Sequence, residues 1–191
     1  MRVSRAQAAE NRENVINVAS RLFREHGFDG IGLKDLMKGA GLTQGAFYKQ
    51  FASKEDLAAQ ASRRAFESVS HRWSDALAAA PEDPFAAAVA FYLSAEHCDE
   101  TPEGCPIAAL GTDAARQGST VRASFEEGIR ERLDNLRRLM GADESGGAED
   151  AAMAALSTMV GALILSRVVN DPDLSKRFLD TAAASLTRDR G

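Results

Sequence analysis

Apolar positions recur at helical spacing along nearly the whole chain, and no stretch alternates convincingly with period two. Over residues 7–26 the set Val15, Ala19, Leu22 and Phe23 follows i, i+4, i+7, i+8, one stripe of an amphipathic helix, and Gly27 stands at the C′ position that ends it. A short helix is predicted over 33–39, closed by Ala40-Gly41. Thr43 is placed to cap another over 44–51, its hydroxyl able to accept a free first-turn N–H. Ser53 caps a long helix running to about residue 80, with Asp56 where a capping-box partner belongs. On that helix Phe66, Val69, Trp73 and Leu77 are spaced 3, 4 and 4 along one face.

The second half reads the same way. Pro81 and Pro84 mark a break, a helix follows over 85–98, and the loop 99–105 holds Pro102 and Gly104. Pro106 opens a short helix as an N1 proline, and Gly118 closes it. Ser119 is read as the cap of a long helix with Phe125, Ile129, Leu133, Leu136 and Met140 on one side. Residues 141–147 form a small, polar surface connection, 148–169 a helix apolar almost all round, and 173–187 a last amphipathic helix after Pro172. The prediction is an all-α fold of about nine helices without internal repeats.

The apolar run 151–169 approaches transmembrane length. It is mostly alanine, however, contains Ser157, Thr158, Gly161, Ser166 and Arg167, and abuts Glu149 and Asp150. A helix apolar on every side is expected to be buried on every side. One side would face its own domain and the other a second subunit, with Ala155 and Gly161 small enough for close approach.

Charge adds an asymmetry. The chain has 191 residues and a net charge of −5; residues 1–56 carry +2 and residues 57–191 carry −7. A mildly basic head on an acidic body is compatible with nucleic-acid contact through the head. Two cysteines are too few for a disulfide framework, and the polar start Met1–Asn14 does not read as a secretory leader, so a cytoplasmic location is expected. There is no Gly-rich phosphate cradle, G-x-S-x-G elbow or H-E-x-x-H, and no enzymatic activity or cofactor is expected. Glu126-Glu127 with Arg130 and Arg132 reads as a solvated, ion-bridged helix face.

The informative block is 31–57, IGLKDLMKGAGLTQGAFYKQFASKEDL. Two short helices joined by a tight Ala-Gly-Leu turn have the proportions of a helix-turn-helix, whose second helix enters the major groove N-terminus first. Gln44 is suited to bidentate reading of adenine. Gly45 and Ala46 lack bulk, so the backbone can approach phosphate oxygens, while Tyr48 offers a ring and hydroxyl and Lys49 a charge. Lys54 starts the following helix, where a phosphate is favoured. With Lys34, Lys38 and Thr43 these form the candidate DNA-binding set. Leu36, Ala40, Leu42, Phe47 and Phe51 have the spacing to pack on Leu22 and Phe23.

This block resembles the N-terminal domain of the TetR/AcrR family of transcriptional repressors. The resemblance rests on Ala19, Leu22-Phe23, Gly27-Phe28, Lys34-Asp35-Leu36, Ala40-Gly41-Leu42, Gly45, Phe47-Tyr48, Phe51 and Ser53-Lys54-Glu55-x-Leu57, about 50 residues in all. It implies a three-helix DNA-binding domain over 1–53, an effector-binding and dimerisation domain over 54–191, and a homodimer, paired through 148–169 and 173–187, that releases operator DNA when a small effector binds. Two positions depart from the family pattern. Gly32 stands where a hydroxyl usually caps the helix and bonds a phosphate, and Met37 where a small alanine is common.

The resemblance places an effector cavity after Leu57. The candidate lining is Phe66, Val69, Trp73, Phe91, Tyr92, Cys105, Leu110, Phe125 and Ile129, suited to a small hydrophobic molecule. Two alternatives stand beside this reading. Cys105, between Gly104 and Pro106 at a helix N-terminus, could act as a thiol sensor for electrophiles, or the chain could be a helical interaction protein without operator binding. His97, Cys98 and Cys105 make a poor metal site for want of a fourth ligand, and no metal is expected.

Overall fold

The computed structural model describes residues 4–141 and 146–188, and within them the chain is helical without strands. Ten α-helices follow in order: α1 Arg5–His26, α2 Leu33–Gly39, α3 Gln44–Phe47, α4 Lys54–Ala79, α5 Pro84–Tyr92, α6 Ala95–Asp99, α7 Pro106–Ala114, α8 Ser119–Leu139, α9 Gly146–Val168 and α10 Pro172–Thr187. A 3-10 turn, Thr101–Glu103, lies between α6 and α7. Residues 142–145 of the expected 141–147 connection lie outside the described residues.

Three boundaries differ from the sequence expectation, each for a local reason. The helix expected over 85–98 is two, because Ser94 adopts an extended backbone and its hydroxyl caps α6 by accepting from the His97 N–H at 3.1 Å. The helix expected over 44–51 is a single turn. The Gln50 and Phe51 amides both return to the Phe47 carbonyl, which brings the Phe51 ring onto Phe47, stacked at 5.4 Å. Gly118, rather than Ser119, is the N-cap of α8. The Glu55 carboxylate lies against Gly118, in the space that a Cβ there would take.

The Ser53 cap and the Gly27 stop follow the sequence, while Ser4, Asp83 and Asp171 cap α1, α5 and α10 in addition. Ser53 Oγ accepts from the Asp56 N–H at 3.0 Å, and the Asp56 carboxylate accepts from the Ala52 N–H at 3.1 Å. Gly27, at φ +80°, ends α1 in a conformation that suits a residue without a side chain.

The core has two connected regions. The upper one joins Val15, Ala19 and Phe23 of α1 to Leu36 and Met37 of α2, Phe47 and Phe51, and continues through Leu57 and Phe66 of α4 to Leu110, Val121 and Phe125. The hydrophobic interior therefore runs across residue 53. The lower one gathers Trp73, Phe85, Tyr92, Leu136, Met159, Leu163 and Leu179 from α4, α5, α8, α9 and α10. Between them Arg24 forms a strut. Its buried guanidinium donates to the Ser20 and Gly104 carbonyls at 2.9 and 2.8 Å, and Glu103 pairs with Arg21 at 2.5 Å. Burial lowers the Arg24 pKa to about 10, against the neighbouring Glu103.

Candidate functional site

The two short helices α2 and α3 meet at a turn in which Gly41 takes φ +70° and the Leu42 amide donates to the Met37 carbonyl at 2.8 Å. Leu36, Met37, Phe47 and Phe51 point inward, and Arg12 covers the Phe51 ring at 5.1 Å. Met37 is fully buried, so the larger side chain is absorbed into the core. Asn14 ties the end of α2 to α1 by donating to the Ala40 carbonyl at 2.9 Å. With the apolar positions turned inward, the opposite side of the pair carries what remains.

Lys34, Lys38, Thr43, Gln44, Gly45 and Lys49 are exposed there, Ala46 is half-buried, and Tyr48 is 70% exposed with its ring edge-on to Phe47 at 5.3 Å. The three lysines make no ion pair among the described residues. Thr43 is the N-cap of α3 as expected, but its hydroxyl makes no bond to the first turn. Lys54 is half-buried, and its ammonium donates to the Ile31 carbonyl at 2.8 Å, tying α4 to the segment before α2.

The residues singled out as a cavity lining are distributed unevenly. Phe66, Val69, Trp73, Tyr92, Cys105, Leu110 and Phe125 are all buried in the packed core, and Phe91 is half-buried, stacked on His97 at 5.8 Å. Phe125 and Ile129 also line an open groove of about 690 Å³ between α7, α8 and α9, with Ile107, Leu133 and Met153 as further apolar walls. Arg122, Glu126, Arg130, Asp134 and Glu149 border it. This groove was not legible beforehand, because its walls come from three helices whose mutual angles the periodicity does not specify.

His97 and Cys105 belong to one buried network. The Cys105 N–H donates to His97 Nε2 at 2.9 Å, so the other ring nitrogen carries the proton and donates to the Tyr92 carbonyl at 2.6 Å. Burial, the largest influence, and the nearby arginines lower the His97 pKa to about 4. Cys98 Sγ lies 3.2 Å from Ser166 Oγ, and both cysteines are free thiols sealed from solvent. No group of three or more His, Cys, Asp or Glu side chains with metal-ligating geometry occurs among the described residues.

One expectation on α8 is corrected. Arg130 pairs with Glu126 at 2.7 Å on the surface as foreseen, but Arg132, read with it as solvated, is buried. Two positions along a helix from Arg130 is about 200° around the axis, which turns Arg132 toward α4. The helix periodicity contained that signal, and the charge of the side chain obscured it.

On α9, Ala155 faces its own core, whereas a Cβ at Gly161 would meet open space. Met153, Leu165 and Val168 of α9 and Leu174 of α10 are large apolar residues left exposed. By length and composition α9 could cross a membrane, yet one side of it packs on α8 and α10.

Residues 15–61 match the family model described as bacterial regulatory proteins, tetR family. The HTH-type transcriptional regulator LmrA of Bacillus subtilis (strain 168) is 28% identical over 186 residues, covering 88% of this chain and 98% of that protein. The HTH-type transcriptional repressor NemR of Escherichia coli (strain K12) is 25% identical over 124 residues, 63% of this chain and 62% of its own length. The crystal structure of a TetR transcriptional regulator from Chloroflexus aurantiacus superposes with a TM-score of 0.79 at 26% identity, over 96% of this chain and 97% of that one. The helix-turn-helix on a ten-helix frame and these likenesses agree: residues 15–61 match the tetR family of bacterial regulatory proteins, and the whole described fold is similar to that of TetR-family transcriptional regulators.

Proposed function

We propose that the protein is a homodimeric repressor that holds a two-fold operator through α2 and α3 of each protomer and releases it when a small hydrophobic effector occupies the body. The observation that carries the reading is the exposed side of the helix pair, where Tyr48 and Gln44 stand among three unpaired lysines while every large apolar neighbour is turned inward. In this reading residues 1–53 form the DNA-binding head and 54–191 the effector-binding and dimerisation body. Gln44 reads a base edge. The free Thr43 hydroxyl, Tyr48, Lys34, Lys38 and Lys49 meet phosphates, Gly45 and Ala46 admit the backbone closely, and Lys54 orients the head while adding its charge. NemR, a relative, is called a repressor, which supports the direction of control.

Such regulators act by binding rather than by catalysis. Dimerisation through α9 and α10 would cover Met153, Gly161, Leu165, Val168 and Leu174, and would set the two α3 helices about 34–36 Å apart, as successive major grooves require. The groove over Phe125 and Ile129 has the volume and apolar walls of a small-molecule site. The thiol-sensing alternative gains no support from Cys105, which is 4% exposed. A cytoplasmic location follows from the same reading.

Fluorescence anisotropy with duplexes from the protein's own promoter region tests it. Saturable binding that survives competition by a scrambled duplex is expected, with affinity falling as salt rises. Equal affinity for both duplexes at low salt would leave the helical interaction protein as the better account.

A further inference from the structure

Arg132 differs in its partners from Arg24, the other buried arginine among the described residues, and from the half-buried Arg167. Arg24 donates to the Ser20 and Gly104 carbonyls, and Arg167 to the His97 and Cys98 carbonyls at 2.7 and 2.8 Å. Arg132, 5% exposed, makes no ion pair among the described residues, and its Nη1 has no acceptor. Its guanidinium lies 3.9 Å over the Trp73 ring. The Trp73 Nε1 is likewise buried without an acceptor, while the Tyr92 hydroxyl lies against Cys105. Two buried donors, on α4 and α8, thus lack acceptors in one neighbourhood.

An ionised guanidinium removed from water is stable only when counter-charge or acceptors replace the lost hydration. Arg167 also leaves its Nη1 without an acceptor, but Arg24 and Arg167 each donate to two carbonyls, whereas Arg132 has only the Trp73 ring. Trp73 and Arg132 also line a cavity of about 340 Å³ between α4 and α8, whose walls include Leu77 and Leu139 and whose polar border includes Ser74, Asn135, the exposed Glu131 and Arg138. This cavity uses the other side of α8 from the groove over Ile129. The donors ask for an acceptor with negative charge, and the leucines ask for an apolar body attached to it.

We propose that this cavity binds a small organic acid, its carboxylate received by Arg132 with Trp73 as a supporting donor and its apolar part lying along Leu77 and Leu139. The site goes beyond the operator-binding reading and does not depend on it: DNA binding could fail while acid binding stands, or the reverse.

Trp73 is the only tryptophan of the chain, so its emission reports on the site directly. The full-length protein is titrated with cyclohexanecarboxylate, its neutral amide cyclohexanecarboxamide, and inorganic phosphate, with calorimetry in parallel. A saturable response to the acid is expected, with the amide weaker by about tenfold or more, the worth of a charge-assisted hydrogen bond. Arg132→Met is expected to fold, because it removes an uncompensated charge, and to bind acid and amide alike. Leu77→Phe fills the cavity without touching the guanidinium and is expected to abolish the acid response, so the proposal is tested even if Arg132→Met fails to fold. Equal binding of acid and amide, phosphate binding as tightly as the acid, or an unchanged response in Leu77→Phe would each overturn the assignment.

Discussion

His97 links two segments that the 3-10 turn separates, and it can do so only as a neutral ring. Nε2 accepts from the Cys105 amide, and a proton there would set one donor against another. Burial lowers its pKa to about 4, while the unfolded chain takes up the proton near 6.5. Between those values the unfolded state binds more protons, so stability is complete above about pH 6.5 and is lost as pH falls toward 4, by about 3 kcal/mol in all. Urea midpoints measured between pH 7.5 and 4.5 should show that loss, and His97→Gln should flatten it; an unchanged slope in the variant would place the titration elsewhere. Gly128 makes a second residue-scale case. A Cβ there would stand 2.5 Å from the Phe66 ring, between helices α4 and α8 that pack along their lengths. Gly128→Ala should therefore destabilise by about 1–3 kcal/mol despite its better helix propensity, read as a lower urea midpoint.

At the scale of elements, α3 is too short to hold itself and is set in place by Phe47 and Phe51 below it. Its exposed residues are therefore free to be replaced without loss of fold. Tyr48→Ala should leave stability within about 0.5 kcal/mol of the wild type and still weaken operator binding, measured by anisotropy beside thermal melts. Lys54 behaves differently, since its ammonium reaches the Ile31 carbonyl. Lys54→Met should cost about 0.5–1.5 kcal/mol of stability and lower the salt slope of DNA binding by about one unit. A salt slope identical to the wild type would confine Lys54 to the structural bond. The tie fastens the start of α4, which carries Trp73 farther along, to the segment before α2.

For the whole molecule, head and body are not loosely tethered. Phe28 of the head region packs edge-on with Phe125 of α8 at 6.4 Å, and Arg24 and Arg21 clamp α1 to the 3-10 turn. The two are thereby joined through packed side chains as well as through the chain itself. The exposed apolar face of α9 and α10 is the remaining large-scale feature. A side chain at Gly161 meets nothing within the protomer, so Gly161→Phe should fold normally but obstruct close approach by a second helix. Sedimentation should find the wild type dimeric at micromolar concentration and the variant shifted toward monomer, with weakened operator binding. Unchanged association would move the interface to another face.

Helix positions, caps and the helix-turn-helix block were readable in the chain because each depends on neighbours within about four residues: Ser53 with Asp56, Gly41 after Ala40, Phe47 with Phe51. The solvent side of α2 and α3 followed from the same periodicity, since turning Leu36 and Phe47 inward leaves Lys34, Gln44 and Tyr48 outside. Only the tertiary structure decided which aromatic residues fill the core and which border open space. It also decided that Arg132 lies buried over Trp73, and that Gly104 and His97 meet Arg24 and Cys105. Those outcomes depend on how helices far apart in sequence cross, and crossing angles are set by the summed fit of many side chains rather than by any local pattern.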